Sequence, residues 1–104
     1  MKRLEIWLVN LDPTIGSEIR KTRPAVIVSP DDLNAHLNTV TVVPLTTGRA
    51  YPFRASTKVQ GTAGVAAIDQ VRTIDKARLV KRIGILHGET GKRILDALVA
   101  MFTP

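Results

Sequence analysis

The sequence predicts a mainly β protein with one short helix and a C-terminal helix, and three observations carry that prediction. Short runs rich in Val and Ile alternate with Pro, Gly, Asp and Thr punctuation, the pattern of several brief strands. In the early runs both alternating faces are apolar, which marks strands buried on each side. Near the C-terminus the apolar spacing changes from two to three and four, the period of a helix.

The elements follow in chain order. Residues 4–11 form a first strand, with Ile6 and Leu8 on one face and Trp7 and Val9 on the other, so it should be central. Residues 24–29 (PAVIVS) form a second buried strand. In Ser29-Pro30-Asp31-Asp32, Ser29 is suited to cap a helix, Pro30 to its first turn, and the two Asp to the positive end of its dipole. That helix ends near His36, and Asp31 and Asp32 read as helix-start residues, not metal ligands. Residues 39–45 form a third strand, in which Pro44 lacks an N–H and should mark an edge, a bulge or the strand's end. Residues 52–56, 64–68 and 78–86 are weaker strand segments. Residues 89–102 form the C-terminal helix, where Ile94, Leu95, Leu98, Val99, Met101 and Phe102 make one apolar stripe suited to core and dimer contacts.

The 104 residues are one domain's worth of chain, without repeat or linker. With 44% hydrophobic and 23% charged residues the composition is that of a globular protein, not a disordered one. The chain has no cysteine, which excludes disulfides and thiolate metal sites. No apolar run approaches the ~18 residues of a membrane span. The opening MKRLEIWLVNL is interrupted by Glu5 and Asn10 and does not read as a secretory leader, so the cytoplasm is the expected location. The net charge is +6 and the pI about 10.3. All of that excess lies after residue 48: residues 1–48 are neutral overall, whereas residues 49–104 hold ten basic and four acidic side chains. A domain this basic points to a polyanionic partner.

The connection over residues 12–23 (DPTIGSEIRKTR) is long and polar, yet joins two of the most apolar strands. A hairpin needs only about two to five residues, and connections of a dozen are often binding loops. At its end Arg23 precedes Pro24, which restricts Arg23 to extended geometry at the mouth of a buried strand.

Several blocks, in order, resemble the MazF/PemK family of toxin endoribonucleases from type II toxin–antitoxin systems. These are EIWLVNLDPTIGSE from Glu5, TRPAVIVSP from Thr22, VVPLTT from Val42, YPF from Tyr51 and GVAAIDQVRTIDKARL from Gly64. The resemblance spans nearly the whole chain, residues 1–104 as a single toxin domain. It implies a small SH3-like, CcdB-like β-barrel and a homodimer. It also implies metal-independent cleavage of single-stranded RNA at short sequences, leaving 2′,3′-cyclic phosphate and 5′-hydroxyl ends, with no cofactor. An acidic tail of a cognate antitoxin is the implied protein partner, and the basic second half suits both polyanions.

Such cleavage uses the ribose 2′-hydroxyl as nucleophile and needs a cation for the charge that grows on phosphorus. Arg23 is the first candidate, because a guanidinium clamps two phosphate oxygens in a fork and stabilises charge without changing protonation. Thr46 matches the family's strand-end Thr; Thr47 should point to the opposite face, so only one of the two should face the site. Glu18 is placed to accept a proton or fix Arg23, and Asp69 matches an acidic residue assigned as general base in the PemK branch. That branch also uses an Arg and a loop His, where this chain has Ala67 and Ser17. Candidate RNA contacts are Ser17, Arg20, Lys21, Thr47, Arg49, Gln70, Arg72, Lys76 and Arg78. His36 and His87 lie away from the Arg23 loop in sequence and read as bystanders; Trp7 reads as core or loop support, with Phe53 a possible base-stacking ring. Two other classes compete. CcdB toxins share the barrel and poison gyrase through a C-terminal aromatic segment, but this chain ends VAMFTP; an RNA-binding module without catalysis would bind and cut nothing.

Overall fold

The computed structural model describes residues 1–49, 52–59 and 62–104, without the side chains of residues 59 and 62. Tyr51 of the YPF block lies outside the described residues. In chain order the strands are β1 (Glu5–Asn10), β2 (Thr22–Ile27), β3 (Thr39–Thr46), β4 (Arg54–Val59), β5 (Thr62–Ala67), β6 (Arg72–Asp75) and β7 (Leu79–Ile85). Helix α1 (Asp31–His36) joins β2 to β3, and α2 (Gly88–Phe102) closes the chain. Single 3-10 turns at Ile68–Gln70 and Lys76–Arg78 flank β6.

The strands form a seven-stranded antiparallel sheet in the order β4-β5-β3-β2-β1-β7, with β6 beside β3. Strand β1 is central, as its two apolar faces require, with β2 on one side and β7 on the other. Those faces serve two separate cores. Ile6, Val26, Val28, Val43 and Leu45 join Ala66, Ile68, Leu86 and Ile94 in one. Val9, Leu11, Ala25, Ile27, Val40, Val42 and Ile74 form the other, with Trp7, Ile19 and Leu79 packed against it. Successive residues of each central strand thus alternate between two dry interiors. Helix α2 covers the first core with Ile94, Leu95, Leu98 and Met101, while Val99 and Phe102 of the same stripe stay exposed.

Three local expectations change. Pro44 is buried inside β3, neither at its end nor at an outer edge. On one side it pairs with Ala25; on the other, β3 pairs with β6 over Thr39–Val42 and with β5 over Leu45 and Thr46. Pro44 falls in the changeover between those two partners, where a backbone N–H is not needed. Ser29 does not cap α1, whose cap position is Pro30. The buried Ser29 hydroxyl donates to Asn34 Oδ1 at 2.5 Å and accepts from the Thr41 amide at 3.0 Å, tying α1 to β3 instead. Strand β6 is an addition: only Ile74 of Arg72-Thr73-Ile74-Asp75 is buried, so the segment shows no strand pattern until β3 supplies a partner.

Candidate active site

The site is built where β1, β2 and β3 end. Leu8 faces Pro24 across β1 and β2, and with Leu45 and Ile83 they give an apolar floor to a cavity of about 310 Å³. Arg23, Thr46, Thr47 and Thr57 bring polar groups to it. Arg23 lies in extended strand opposite Val9 and is half-buried rather than fully exposed. Its Nε donates to the Arg20 carbonyl at 3.1 Å, which fixes the plane of the guanidinium from the loop side. Thr46 and Thr47 both line the cavity, against the expectation that only one would. The alternation of a strand stops at Thr46, the last residue of β3, and Thr47 follows in a bend.

Glu18 and Asp69 are not part of this cavity. They line a different one, of about 400 Å³, together with Gln70 and Arg72. Glu18 Oε1 accepts from the Ile15 amide at 2.6 Å and closes a local turn. Asp69 is held in a two-pronged pair by Arg54, Nε to Oδ1 at 2.5 Å and Nη2 to Oδ2 at 2.8 Å. The Arg54 hydrogen bond keeps the Asp69 carboxyl below its usual value, and a carboxylate so stabilised is a weaker base.

The remaining sequence candidates fall into two groups. Ser17, Arg20, Lys21 and Arg49 are exposed. Gln70, Arg72, Lys76 and Arg78 are engaged with the backbone. Gln70 Oε1 accepts from the Ile19 amide at 3.2 Å, and Arg72 Nη1 donates to the Leu11 carbonyl at 3.2 Å. Arg78 Nη1 donates to the carbonyls of Asn10, at 3.2 Å, and Asp12. Lys76 Nζ donates to the Asn34 carbonyl at 2.5 Å, in the last turn of α1. The contacts of Gln70, Arg72 and Arg78, with Ile19 packed on the second core, anchor both ends of the loop that carries Arg20 and Lys21. Trp7 supports the same core and donates its indole N–H to Glu5 at 3.0 Å.

His36 lines none of these cavities, and its Nδ1 pairs with the Asp32 carbonyl at 2.7 Å. His87 is not so remote. It precedes α2 and lines a third cavity of about 530 Å³, whose wall includes Thr47 and Thr57 of the first. Sequence distance from Arg23 concealed this, because β7 and α2 return the chain to the open end of β4 and β5. Among the described residues no cluster of three or more His, Asp or Glu is placed to hold a metal ion.

This geometry has counterparts. Residues 2–102 match the family model of the PemK-like, MazF-like toxin of type II toxin–antitoxin systems. The chain belongs to this family. It is 48% identical over 110 aligned positions to Endoribonuclease PemK of Escherichia coli, covering 99% of this chain and 83% of that one. It is 41% identical to Endoribonuclease MazF9 of Mycobacterium tuberculosis, covering 94% and 92%. The MazF/PemK fold is equally clear in three dimensions. MazF of Deinococcus radiodurans superposes with a TM-score of 0.86 at 22% identity, covering 97% and 94%. A mycobacterial endoribonuclease, solved in complex with its cognate antitoxin, superposes at 0.82 with 25% identity, covering 100% and 97%.

Proposed function

We propose that this chain is an endoribonuclease toxin that cuts single-stranded RNA, and the observation that carries the reading is the meeting of Arg23, Thr46 and Thr47 in one cavity. A phosphodiester seated there has its non-bridging oxygens faced by the guanidinium fork and two hydroxyl donors. The neighbouring ribose 2′-oxygen bonds to phosphorus and gives up its proton. The bond from phosphorus to the 5′-oxygen breaks, and that oxygen takes up a proton. The products are a 2′,3′-cyclic phosphate and a 5′-hydroxyl. Arg23 supplies the positive charge through which the transition state is stabilised, so the chemistry runs without a metal. Glu18 and Asp69, committed to Ile15 and Arg54 in another cavity, shape the loop and the β5–β6 turn.

The protein acts in the cytoplasm, as a homodimer restrained by the acidic segment of a cognate antitoxin. Exposed Val80, Val99 and Phe102 supply apolar surface for self-association. The antitoxin reading rests on the net charge of +6 and on the complex solved for the mycobacterial relative. No described helix is long and apolar enough to cross a membrane.

The test is to incubate the purified protein with a long unstructured RNA in EDTA and map the ends. Discrete fragments with cyclic phosphate and 5′-hydroxyl ends are expected. RNA left intact across varied sequences overturns the reading.

A further inference from the structure

The backbone that holds Arg23 is itself held from elsewhere in the chain. The bond from Arg23 Nε to the Arg20 carbonyl fixes the guanidinium only if that carbonyl has a fixed direction. The loop does not supply the direction by its own preference. Lys21, between the two arginines, has φ 70, in the left-handed region that a residue with a β-carbon rarely adopts. Such a conformation persists where the surroundings over-determine it. Two hydrogen bonds from outside the loop do so. After Arg20, the amide of fully buried Leu11 donates to the Lys21 carbonyl at 3.0 Å. Before Arg20, the Ile19 amide donates to Gln70 Oε1 at 3.2 Å. The partner here is an N–H, so the Gln70 atom that meets it is the amide oxygen. Packing of Ile19 on the second core places that residue, and the Gln70 bond sets the direction of the backbone that leads into Arg20.

Gln70 is a firm support. It ends the single turn Ile68–Gln70, in which Ile68 is fully buried and its amide donates to the Phe53 carbonyl at 2.9 Å. Beside it, Asp69 is gripped through both carboxylate oxygens by Arg54 on β4. The turn cannot swing without breaking these ties. Gln70 is also apart from the phosphate site: it lines the cavity of about 400 Å³, which shares no lining residue with the cavity of Arg23.

We propose that Gln70 is a positioning residue for the reaction: through Ile19 it sets the Arg20 carbonyl, and through that carbonyl the guanidinium of Arg23. The inference rests on the endoribonuclease reading, with Arg23 as the charge-stabilising group. Gln70 touches neither the phosphate nor Arg23 in this role. A support is favoured over a direct RNA contact because the Gln70 oxygen is already engaged by the loop.

The experiment uses the full-length protein. Gln70→Met keeps the length of the side chain and removes the acceptor, whereas Gln70→Glu keeps an acceptor. Each is made alone and together with Arg23→Ala. Cleavage of an end-labelled RNA with one mapped site gives kcat and KM, and Kd is measured on the same RNA with a 2′-deoxy nucleotide at that site, which cannot be cut. Wild type must cut this RNA and Arg23→Ala must lose most of the rate; if either fails, the parent reading falls, and the positioning role with it. Given both, Gln70→Met is expected to lower kcat about ten- to hundredfold, as for a reacting group misplaced by about an ångström, with Kd within about twofold of wild type. Gln70→Glu is expected to recover most of that loss. In the Arg23→Ala background Gln70→Met is expected to cost less than about twofold, because a support has no effect once the group it supports is gone. A general structural role would lower Tm and reduce kcat equally in both backgrounds. Equal loss in the two backgrounds therefore overturns the proposal and leaves the endoribonuclease reading standing. So does a raised Kd with kcat unchanged, which would make Gln70 an RNA contact. Should Gln70→Met fail to fold, Gln70→Ala takes its place in the same cycle.

Discussion

Replacing Arg23 by Ala tests the chemistry directly, and the structure sets the size of the effect. The guanidinium is anchored through Nε to the Arg20 carbonyl at 3.1 Å, and its two Nη groups have no protein partner among the described residues. Two charge-assisted donors are therefore available to a phosphate in the cavity. Loss of a single preorganised donor typically costs about 10²–10³ in rate, so Arg23→Ala should lie at or beyond the upper end of that range. The loss should fall on kcat and kcat/KM together, because charge on the non-bridging oxygens grows only toward the transition state. Arg23→Lys keeps the charge but loses the fork and the tie to Arg20, and it should recover only part of the rate. Folding should survive, since the side chain gives up one hydrogen bond to a carbonyl, worth about 1 kcal/mol. The assay is single-turnover cleavage of an end-labelled RNA, with Tm measured on the same preparations. A folded Arg23→Ala protein that cuts within about threefold of wild type would refute electrostatic stabilisation by this residue.

Three further outcomes follow from the same geometry. Gly64→Ala forces a Cβ to 2.9 Å from a backbone oxygen, so Tm should fall and cleavage with it; a Tm equal to wild type would show that β5 moves freely away from β3. The pair with Arg54 depresses the folded-state pKa of Asp69 below its ordinary 3.8, so its stabilisation is intact above that value and lost as the pH falls through the depressed one. Since the Asp69 side chain is 41% exposed, the advantage of wild type over Asp69→Asn should be only about 1 kcal/mol at pH 7, and urea melts should show it shrink progressively as the pH is taken below 3.8. Arg23, Lys58 and Arg93 line two neighbouring cavities that share Thr47, Thr57, Ala63 and Gly64, so binding of an RNA made uncuttable by a 2′-deoxy nucleotide at its cleavage site should fall with salt with a slope near 2, at about 0.7 per phosphate contact; a slope above 4 would mean a much wider contact surface.

The elements that sequence revealed are those whose local pattern and tertiary fate agree. Strands β1 to β3 are apolar on both faces because each separates two cores, and α2 shows its buried Ile94 and half-buried Leu98 at helical spacing. Strand β6 was not legible, because an edge pairing with β3 and a single buried Ile74 leave no pattern in four residues. Pro44 was legible as an interruption of hydrogen bonding but not as a buried residue, since the exchange of β6 for β5 along β3 is a property of the whole sheet. The same division holds for the site. Arg23 before Pro24 announces itself through local geometry, whereas Thr46 was indicated by the resemblance of VVPLTT to the family's strand end. Thr57 and Lys58 lie just past the 52–56 segment that reads as a weak strand, in the half of β4 whose side chains are mostly polar, and only the return of α2 to β4 and β5 brings His87 and Arg93 beside them.

Positive charge in this protein serves two purposes that composition does not separate. Of the ten basic side chains after residue 48, Arg54, Arg82 and Lys92 are paired with Asp69, Glu5 and Asp96. Arg72, Lys76 and Arg78 are spent on backbone carbonyls. The first three lose much of their field to a neighbouring carboxylate. The second three do not, because a carbonyl accepts a hydrogen bond without cancelling a charge. Arg72 and Arg78 thus hold the root of the loop after β1 and still contribute to the potential that draws a polyanion toward it. Their removal would loosen the loop and weaken the field at once, so an alanine scan of the basic residues cannot by itself distinguish a phosphate contact from a structural clamp. Arg23 is separable on structural grounds: it lines the cavity, and only its Nε is committed to the protein.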